Sequence, residues 1–472
     1  MAALLLSHLS LEHEMTTRSR CHSGMRTRHR CNSPSAPAVF RGIAGQARRK
    51  SCGSLLQSSQ WWPMVDIRAV DAEVDAENLL LEASWHNVAT MLQIRSPETD
   101  HADAAPNKKN ANCYTRAYAL VGSPEWIDDF FNIELKDVLS PTQLSMVSEE
   151  KCMQIAREIL NTQDLKSPDI VGAESFTLIS ESLGKVIQFR LTALDDEIVK
   201  LAKVVYGSQV PCTSRYPGPN DFPLPIYVAN IIPGINTALM IPNPSNINRR
   251  MHKYLRIVTD LATFMGRAID QPQTTTQTNG RTRSAPRFLQ QLSAHPVLVN
   301  LAPKILQVIQ DARDHAHLLE TLPLVLTHAD LGGLNMLIDS NDSSLTGVLD
   351  WARASIEAFG MTIYSLYEVF LTTRIEGQIV FNHALTDDGR PVRIILEQAF
   401  WKQLWSSVSH VLDPVVHGSA VRTAMLVGAI DRYLTMERLN DATIDHGESL
   451  ARAKGYLGKL PRINSLDRRY EE

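Results

Sequence analysis

One stretch decides the fold, "LTHADLGGLNMLIDSNDSSLTGVLDWA" at residues 326–352. Its apolar runs are typical of short β-strands, but four polar side chains interrupt them: His328, Asp330, Asn335 and Asp350. Burying a neutral polar group without a partner costs about 2–7 kcal/mol, and a charge costs more. These side chains therefore satisfy one another or face a polar ligand.

The spacing of these residues indicates a chemistry. His328 lies two residues before Asp330, Asn335 lies five after it, and Asp350 follows the next strand-like run. An H-x-D-x-x-x-x-N order followed by a strand-borne Asp is typical of the phosphoryl-transfer sites of kinases. Asp330 can orient a hydroxyl and accept its proton. The oxygens of Asn335 and Asp350 suit Mg²⁺. The pattern predicts ATP- and Mg²⁺-dependent transfer to a hydroxyl.

The flanking sequence predicts two lobes. "SFTLIS" and "KVIQFRL", separated by "ESLG", indicate a hairpin, and "DDEIVKLAKVVYG" indicates a helix ended by glycine. After the connection "VPCTSRYPGPNDFPL", "PIYVANIIPG" indicates another strand. Helical patterns dominate afterwards, in "INRRMHKYLRIVTDLATFMGRAID", "MTIYSLYEVFLTT", "VRIILEQAFWKQLWSSVSHVL" and "AVRTAMLVGAIDRYLTMERL". We therefore expect an α+β, two-lobed protein kinase-like fold, with a small mixed-sheet N-lobe and a mainly helical C-lobe.

The same patterns predict how the chain is divided. We expect a basic, disordered extension and irregular linker over 1–120, and a helical lead-in over 121–164. The N-lobe, with the nucleotide-binding sheet, is expected over 165–232, and the C-lobe over 233–445. A tail follows over 446–472.

The composition of the chain limits which binding partners and which cellular compartment are expected. A net charge of -4 and 21% charged residues give no reason to expect nucleic acid or acidic lipid, and no apolar run is long enough to span a membrane. Residues 1–65 hold nine Lys or Arg against Glu12 and Glu14, which predicts disorder and also suits a mitochondrial transit peptide. The six scattered cysteines suit a reducing compartment. A cytoplasmic location is expected, with mitochondrial import as the alternative. The oligomeric state stays open.

The quoted residues resemble the aminoglycoside phosphotransferase and choline kinase-like family of the protein kinase-like superfamily. "LTHADLGGLNMLID" and "GVLDWARA" are similar to the catalytic and metal-binding segments of that family. "VIQFR", "YVANIIPGI", "PLVLTHADL" and "EAFGMTIYSLY" fit the same scheme in order. The resemblance covers roughly residues 150–440. It implies that Asp330 is the catalytic base, that Asn335 and Asp350 bind the metal, and that His328 supports the catalytic loop.

The N-lobe departs from the family pattern. The phosphate-contacting lysine has no exact match; Arg190 in "VIQFR" is the nearest candidate, with Glu197 as its expected ion-pair partner. Arginine and lysine reach phosphates differently, and a surface position at the end of a strand is the alternative for Arg190. "VGAESFTLISESLGK" lacks a G-x-G-x-x-G pattern, although residues 172–177 can cover phosphates with backbone amides. The hinge backbone at Ala229 and Ile231 is expected to contact adenine.

Two classes of function stay open. Asp330, Asn335 and Asp350 favour a phosphotransferase acting on a small-molecule hydroxyl. The altered phosphate loop and Arg190 favour a pseudokinase that binds nucleotide or a partner. A protein kinase is disfavoured, because no segment with an A-P-E ending follows "DWARA". Fold and motif do not identify the acceptor.

Other side chains near the motif are expected to be structural. Trp351, and Tyr364 with Tyr367 at helical spacing, are typical of core packing. Glu357 can pair with a basic side chain or help to bind substrate, and a structural role is the prediction.

Overall fold

The computed structural model describes residues 127, 129–168, 172, 174–219, 221–240, 247–274, 281–375, 378–440, 446–461 and 463. The predictions for 1–120, residue 173 of the phosphate-covering segment, and residues 462 and 464–472 of the predicted tail lie outside the described residues. Within the described residues, no helix combines the length and the apolar character needed to cross a membrane.

The N-terminal lobe is built on a four-stranded sheet. Its strands are β1 (Ser175–Ser180), β2 (Lys185–Arg190), β3 (Thr213–Tyr216) and β4 (Ile226–Asn230), in the order β1-β2-β4-β3. The predicted hairpin is confirmed, with Ser180 opposite Lys185 and a turn that closes at Gly184, where φ is +61°. All the pairings in this sheet are antiparallel, so the predicted mixed sheet is wrong in strand direction. The edge strand β3 was not predicted, because its residues are mostly exposed and lack an apolar alternation.

The two longest helices in this part of the chain are α1 (Glu149–Leu160) and α2 (Asp196–Tyr206). Both begin at a capping side chain. The Ser148 hydroxyl accepts a hydrogen bond from the backbone N–H of Lys151, and the Asp195 carboxylate caps α2 in the same way. One apolar face of α1 packs against the sheet in a common core that includes Cys152, Ile155, Phe176, Leu178 and Phe189. The predicted helical lead-in is therefore packed with the N-lobe.

The rest of the described chain is mainly helical. Its helices are α3 (Ile247–Arg267), α4 (Arg281–Ser293), α5 (Pro296–Leu301), α6 (Pro303–Asp314), α7 (Val392–Val408), α8 (Pro414–Tyr433), α9 (Met436–Asn440) and α10 (His446–Leu457). The predicted helices within 247–270, 392–412 and 420–439 are confirmed. A sheet-bearing lobe followed by a helical lobe confirms the predicted α+β architecture.

Short strands between these helices carry the polar stretch. They are β5 (Ile235–Asn236), β6 (Leu324–His328), β7 (Met336–Ile338), β8 (Leu345–Val348), β9 (Ala354–Ala358), β10 (Thr372–Ile375) and β11 (Gln378–Phe381). They form the antiparallel sheets β5-β7-β8, β6-β9 and β10-β11. The short strands predicted in the quoted stretch are confirmed, whereas β9, β10 and β11 were not predicted.

The predicted helix over 361–373 is only partly correct. The chain is helical from Tyr364 to Leu371 and then continues as β10. The Thr372 hydroxyl donates to the backbone carbonyl of Tyr367 at 2.9 Å, and Thr372 itself has an extended backbone. β-Branched threonine is well suited to a strand, so the helix ends where the threonine pair begins.

The side chains expected to be structural are buried. Trp351, Tyr364 and Tyr367 all belong to the main core. Glu357 is buried on β9, and its carboxylate accepts from both the backbone N–H and the hydroxyl of Thr282, each at 2.7 Å. Glu357 therefore ties β9 to the start of α4, which is the structural role that was predicted.

Candidate active site

The loop after β6 is held by hydrogen bonds between its own residues. The backbone N–H of Asp330 donates to Nδ1 of His328 at 3.3 Å. The backbone carbonyl of Asp330 accepts from the N–H of Gly332 at 2.9 Å and from Nδ2 of Asn335 at 2.7 Å. His328, Asp330 and Asn335 thus satisfy one another, and the loop presents the Asp330 carboxylate in a defined place.

His328 links this loop to the segment that carries Asp350. Because Nδ1 accepts from Asp330, Nε2 is the donor, and it reaches the carbonyl of Leu349 at 2.8 Å. The edge of the buried ring packs against Trp351, with the ring centroids 4.9 Å apart. Burial lowers the pKa of His328 and outweighs the Leu349 carbonyl and nearby carboxylates, which favour the charged form. A neutral bridging imidazole fits the predicted supporting role.

Asn335 and Asp350 are brought together by the β7–β8 hairpin. Met336 pairs with Val348, and the N–H of Leu349 donates to the carbonyl of Asn335 at 2.8 Å. Asp350 has φ +57° and ψ 69°, a left-handed conformation that non-glycine residues seldom adopt. Such conformations cluster at functional sites, where the surrounding structure enforces them.

The oxygens of this pair fit a magnesium ion that is shared with phosphates. The amide nitrogen of Asn335 is already bonded to Asp330, so its oxygen is the atom left to act as a ligand. Among the described residues, no group of three or more His, Cys, Asp or Glu could hold a metal. Mg²⁺ bound to substrate needs no such group, because it is typically held by one or two carboxylates together with phosphates and water.

Arg190 faces the site from the end of β2. Its side chain is only 3% exposed, which excludes the surface position considered as an alternative. Nη2 lies 3.4 Å from the carboxylate of Glu174 and 3.7 Å from that of Asp350. Its Nε is buried and has no hydrogen-bond partner among the residues that the structure describes. Arg190 therefore joins the N-lobe sheet to the predicted metal ligand and keeps an unused donor.

The expected ion pair between Arg190 and Glu197 is wrong. Glu197 bonds Lys200 at 2.7 Å, and its side chain is 84% exposed. Glu197 lies in the first turn of α2, just after the Asp195 cap. The carboxylate partner of Arg190 comes instead from Glu174, in the segment just before β1.

The expected adenine contacts at Ala229 and Ile231 find little support in the hydrogen bonding. Ala229 lies in the central strand β4, paired with Val186 on one side and Thr213 on the other. The N–H of Ile231 donates to the carbonyl of Gly184 at 2.9 Å. The backbone N–H of Ile231 is therefore already bonded within the N-lobe, and the adenine contacts stay a prediction.

The motifs did not reveal one residue at the Asp330 carboxylate. Nη2 of Arg432, near the end of α8, lies 2.6 Å from Oδ1 of Asp330. Burial disfavours the charged form of the Arg432 guanidinium and by itself lowers its pKa. The nearby carboxylates of Glu368 and Asp330 have the larger combined effect, so the pKa of Arg432 is raised above its ordinary value. Arg432 therefore stays charged. Nothing in "GAIDRYLTM" distinguishes it from an ordinary arginine on a helix.

Solved structures similar to this chain share few of its residues. The gentamicin complex of aminoglycoside phosphotransferase APH(2")-IIa is 14% identical, with 67% of this chain and 98% of that chain covered and a TM-score of 0.41. Aminoglycoside phosphotransferase APH(4)-Ia is 15% identical, with 67% and 100% covered and a TM-score of 0.43. Its thermostable mutant, in a ternary complex with ADP and hygromycin B, is 14% identical, with 66% and 98% covered and a TM-score of 0.42.

Comparison with sequence families gives a match that includes the Asp330 loop and residues 229–232. Residues 200–390 match the family described as "Phosphotransferase enzyme family". A search of curated proteins finds no match. The family match over residues 200–390 confirms the predicted resemblance and the predicted enzyme class, a phosphotransferase.

Proposed function

We propose that this protein transfers the γ-phosphoryl group of ATP to a hydroxyl of a small molecule, with Asp330 as the catalytic base. The observation that carries the proposal is the contact between buried Arg190 and Asp350 beside the Asp330 loop. One group of residues thereby supplies the three charged side chains that the reaction needs. Arg190 is the cation for the phosphates, Asp350 the carboxylate for the metal and Asp330 the carboxylate for the hydroxyl. Phosphoryl transfer depends mainly on such positioning and charge neutralisation.

The proposed step is a displacement at phosphorus. The acceptor oxygen forms a bond to the γ-phosphorus while its proton passes to the Asp330 carboxylate. The bond between the γ-phosphorus and the oxygen that bridges it to the β-phosphorus breaks, and ADP leaves with the electron pair. Arg190 neutralises charge on the phosphates. Mg²⁺, when bound by Asn335 and Asp350, would supply further charge neutralisation.

A catalytically impaired pseudokinase is the second candidate, and two contacts favour it. Arg432 forms an ion pair with one oxygen of Asp330, the proposed base. Glu174 forms an ion pair with Arg190, the cation proposed to bind the phosphates. Either contact can hold the site in an unproductive arrangement. A pseudokinase of this kind would bind Mg·ATP without transferring the phosphoryl group to an acceptor.

The test is a screen of hydroxylated metabolites with labelled ATP and the full chain, repeated with Asp330→Asn. The substitution keeps the shape of the side chain but removes its charge and basicity. We expect turnover to fall by about 10²–10⁴-fold while ATP affinity stays near that of the parent. Asp314→Asn, at an exposed carboxylate on α6, is the control and should leave both unchanged.

The outcomes separate the two candidates. Transfer by the parent and its loss in Asp330→Asn support the enzyme. Binding of Mg·ATP by both proteins without transfer to any acceptor, and without ATP hydrolysis, supports the pseudokinase. Full transfer activity in Asp330→Asn would show that Asp330 is not the base.

A further inference from the structure

The contact between Arg432 and Asp330 is short and well shielded. The 2.6 Å separation of Nη2 and Oδ1 is that of a close ion pair between a guanidinium and a carboxylate. The side chains are 16% and 27% exposed, so water screens the pair less than it screens an ion pair on the surface. Arg432 is therefore a defined neighbour of the carboxylate and not a freely moving surface cation.

The fold fixes the part of α8 that carries Arg432. A Cβ at Gly428, one turn earlier, would lie 1.8 Å from the backbone carbonyl oxygen of Met361. Only glycine allows the helix to approach the chain this closely. On the other side of Arg432, the Tyr433 hydroxyl donates to the Glu368 carboxylate at 2.7 Å. Helix α8 is thus held on both sides of the arginine.

The other contacts of Asp330 fix its backbone and leave its side chain to Arg432. His328 bonds the N–H of Asp330, and Gly332 and Asn335 bond its carbonyl. Among the described residues, Arg432 is the only one that forms an ion pair with the Asp330 carboxylate. Because the guanidinium takes Oδ1, it sets the rotation of the carboxylate and leaves Oδ2 for a hydroxyl.

We propose that Arg432 is a positioning residue for phosphoryl transfer: it orients the Asp330 carboxylate so that Oδ2 receives the proton of the acceptor. This inference rests on the proposed function, because it assigns Arg432 to the same reaction. Arg432 acts through Asp330 and needs no contact with substrate. It is expected to affect the chemical step and to leave nucleotide affinity unchanged.

The experiment compares Arg432→Met and Arg432→Lys in the full chain, with Arg313→Met on α6 as the matched control. Methionine keeps an unbranched side chain without charge, and lysine restores the charge without the planar guanidinium. The assay measures kcat and the KM for ATP, with the best acceptor from the screen or with water. Melting temperatures establish which variants are folded, and methylguanidinium is the probe for chemical rescue.

We expect Arg432→Met to lower kcat by about 10²-fold, as a misplaced catalytic group commonly does, with the KM for ATP near that of the parent. Arg432→Lys should retain an intermediate kcat, and methylguanidinium should restore part of the kcat of Arg432→Met. Arg313→Met should match the parent in every measurement. If Arg432→Met does not fold, the intermediate kcat and unchanged KM of Arg432→Lys carry the test.

Several results would overturn the inference. An unchanged kcat in an active parent background shows that Arg432 does not position the base, and a raised kcat shows that the ion pair inhibits. A fall in kcat with a raised KM, and no rescue by lysine or methylguanidinium, shows a general structural role. A parent without turnover removes the proposed function and this inference together, whereas an active parent with a fully active Arg432→Met removes this inference alone.

Discussion

The carboxylate of Glu174 lies 3.4 Å from the buried guanidinium of Arg190, where the sequence predicts a contact with phosphate. The other oxygen of the same carboxylate lies 3.4 Å from Nη2 of Arg353. An anion thus bridges two arginines beside Asp350, in the position that a phosphate group would be expected to take. Glu174 and the triphosphate of ATP are therefore expected to compete for the same cations.

We predict that Glu174→Gln binds ATP more tightly than the parent. Glu174 is 39% exposed, so its ion pairs are partly screened and are worth about 0.2–1 kcal/mol. The dissociation constant, measured by titration calorimetry, should fall by up to about fivefold. The control is Glu181→Gln, which removes an exposed carboxylate paired with Lys166 and should not change affinity. Weaker binding in Glu174→Gln would show that the carboxylate assists the phosphates.

The half of the site that could be predicted is local in the sequence. His328, Asp330 and Asn335 share one loop, and Asp350 follows the adjoining hairpin, so residue type and spacing were enough to group them. Glu197 was placed wrongly, because spacing along a helix does not show which side of its first turn faces the sheet.

The other half depends on contacts between distant segments. Arg432 meets Asp330 only because α8 packs against the chain near Met361, and no pattern in either segment indicates this. Glu174 was missed because a single carboxylate before a strand resembles an ordinary surface residue. The strands β3, β10 and β11 are short or partly exposed, so the apolar alternation that identifies a strand is weak in them.

The packing of Gly428 against Met361 gives a prediction about stability. Gly428→Ala should lower the free energy of unfolding by about 1–3 kcal/mol, because the added methyl group forces the helix and the backbone apart. Urea denaturation measures the change. Gly418→Ala in the same helix is the control, since its added Cβ would meet the flexible end of Arg422 at 3.3 Å. If both variants are equally stable, α8 is not fixed at Gly428.

The burial of His328 predicts a pH dependence of stability. The folded protein lowers the pKa of this imidazole, so below the unfolded value of about 6.5 the unfolded chain binds a proton that the folded chain does not. Stability should therefore decrease as the pH falls from about 6.5 towards the lower folded pKa. His328→Gln should be less stable than the parent at pH 7.5, because it loses the bridging imidazole. Between pH 6.5 and 5 its stability should fall less steeply, and equal slopes in the two proteins would contradict a neutral buried imidazole.

Asp350 gives the direct test of the metal site. Asp350→Ala removes one of the two proposed Mg²⁺ ligands but leaves the hinge, so ATP should still bind through its adenine while the metal link to the phosphates is lost. In the parent, ATP with Mg²⁺ should raise the melting temperature more than ATP with EDTA does, because a ligand stabilises the state that it binds. In Asp350→Ala this magnesium-dependent increment should disappear. Asp388→Ala, at an exposed carboxylate paired with Arg390, should keep it. If Asp350→Ala shows the same increment as the parent, Asp350 is not a metal ligand, and the contact with Arg190 is then a structural ion pair.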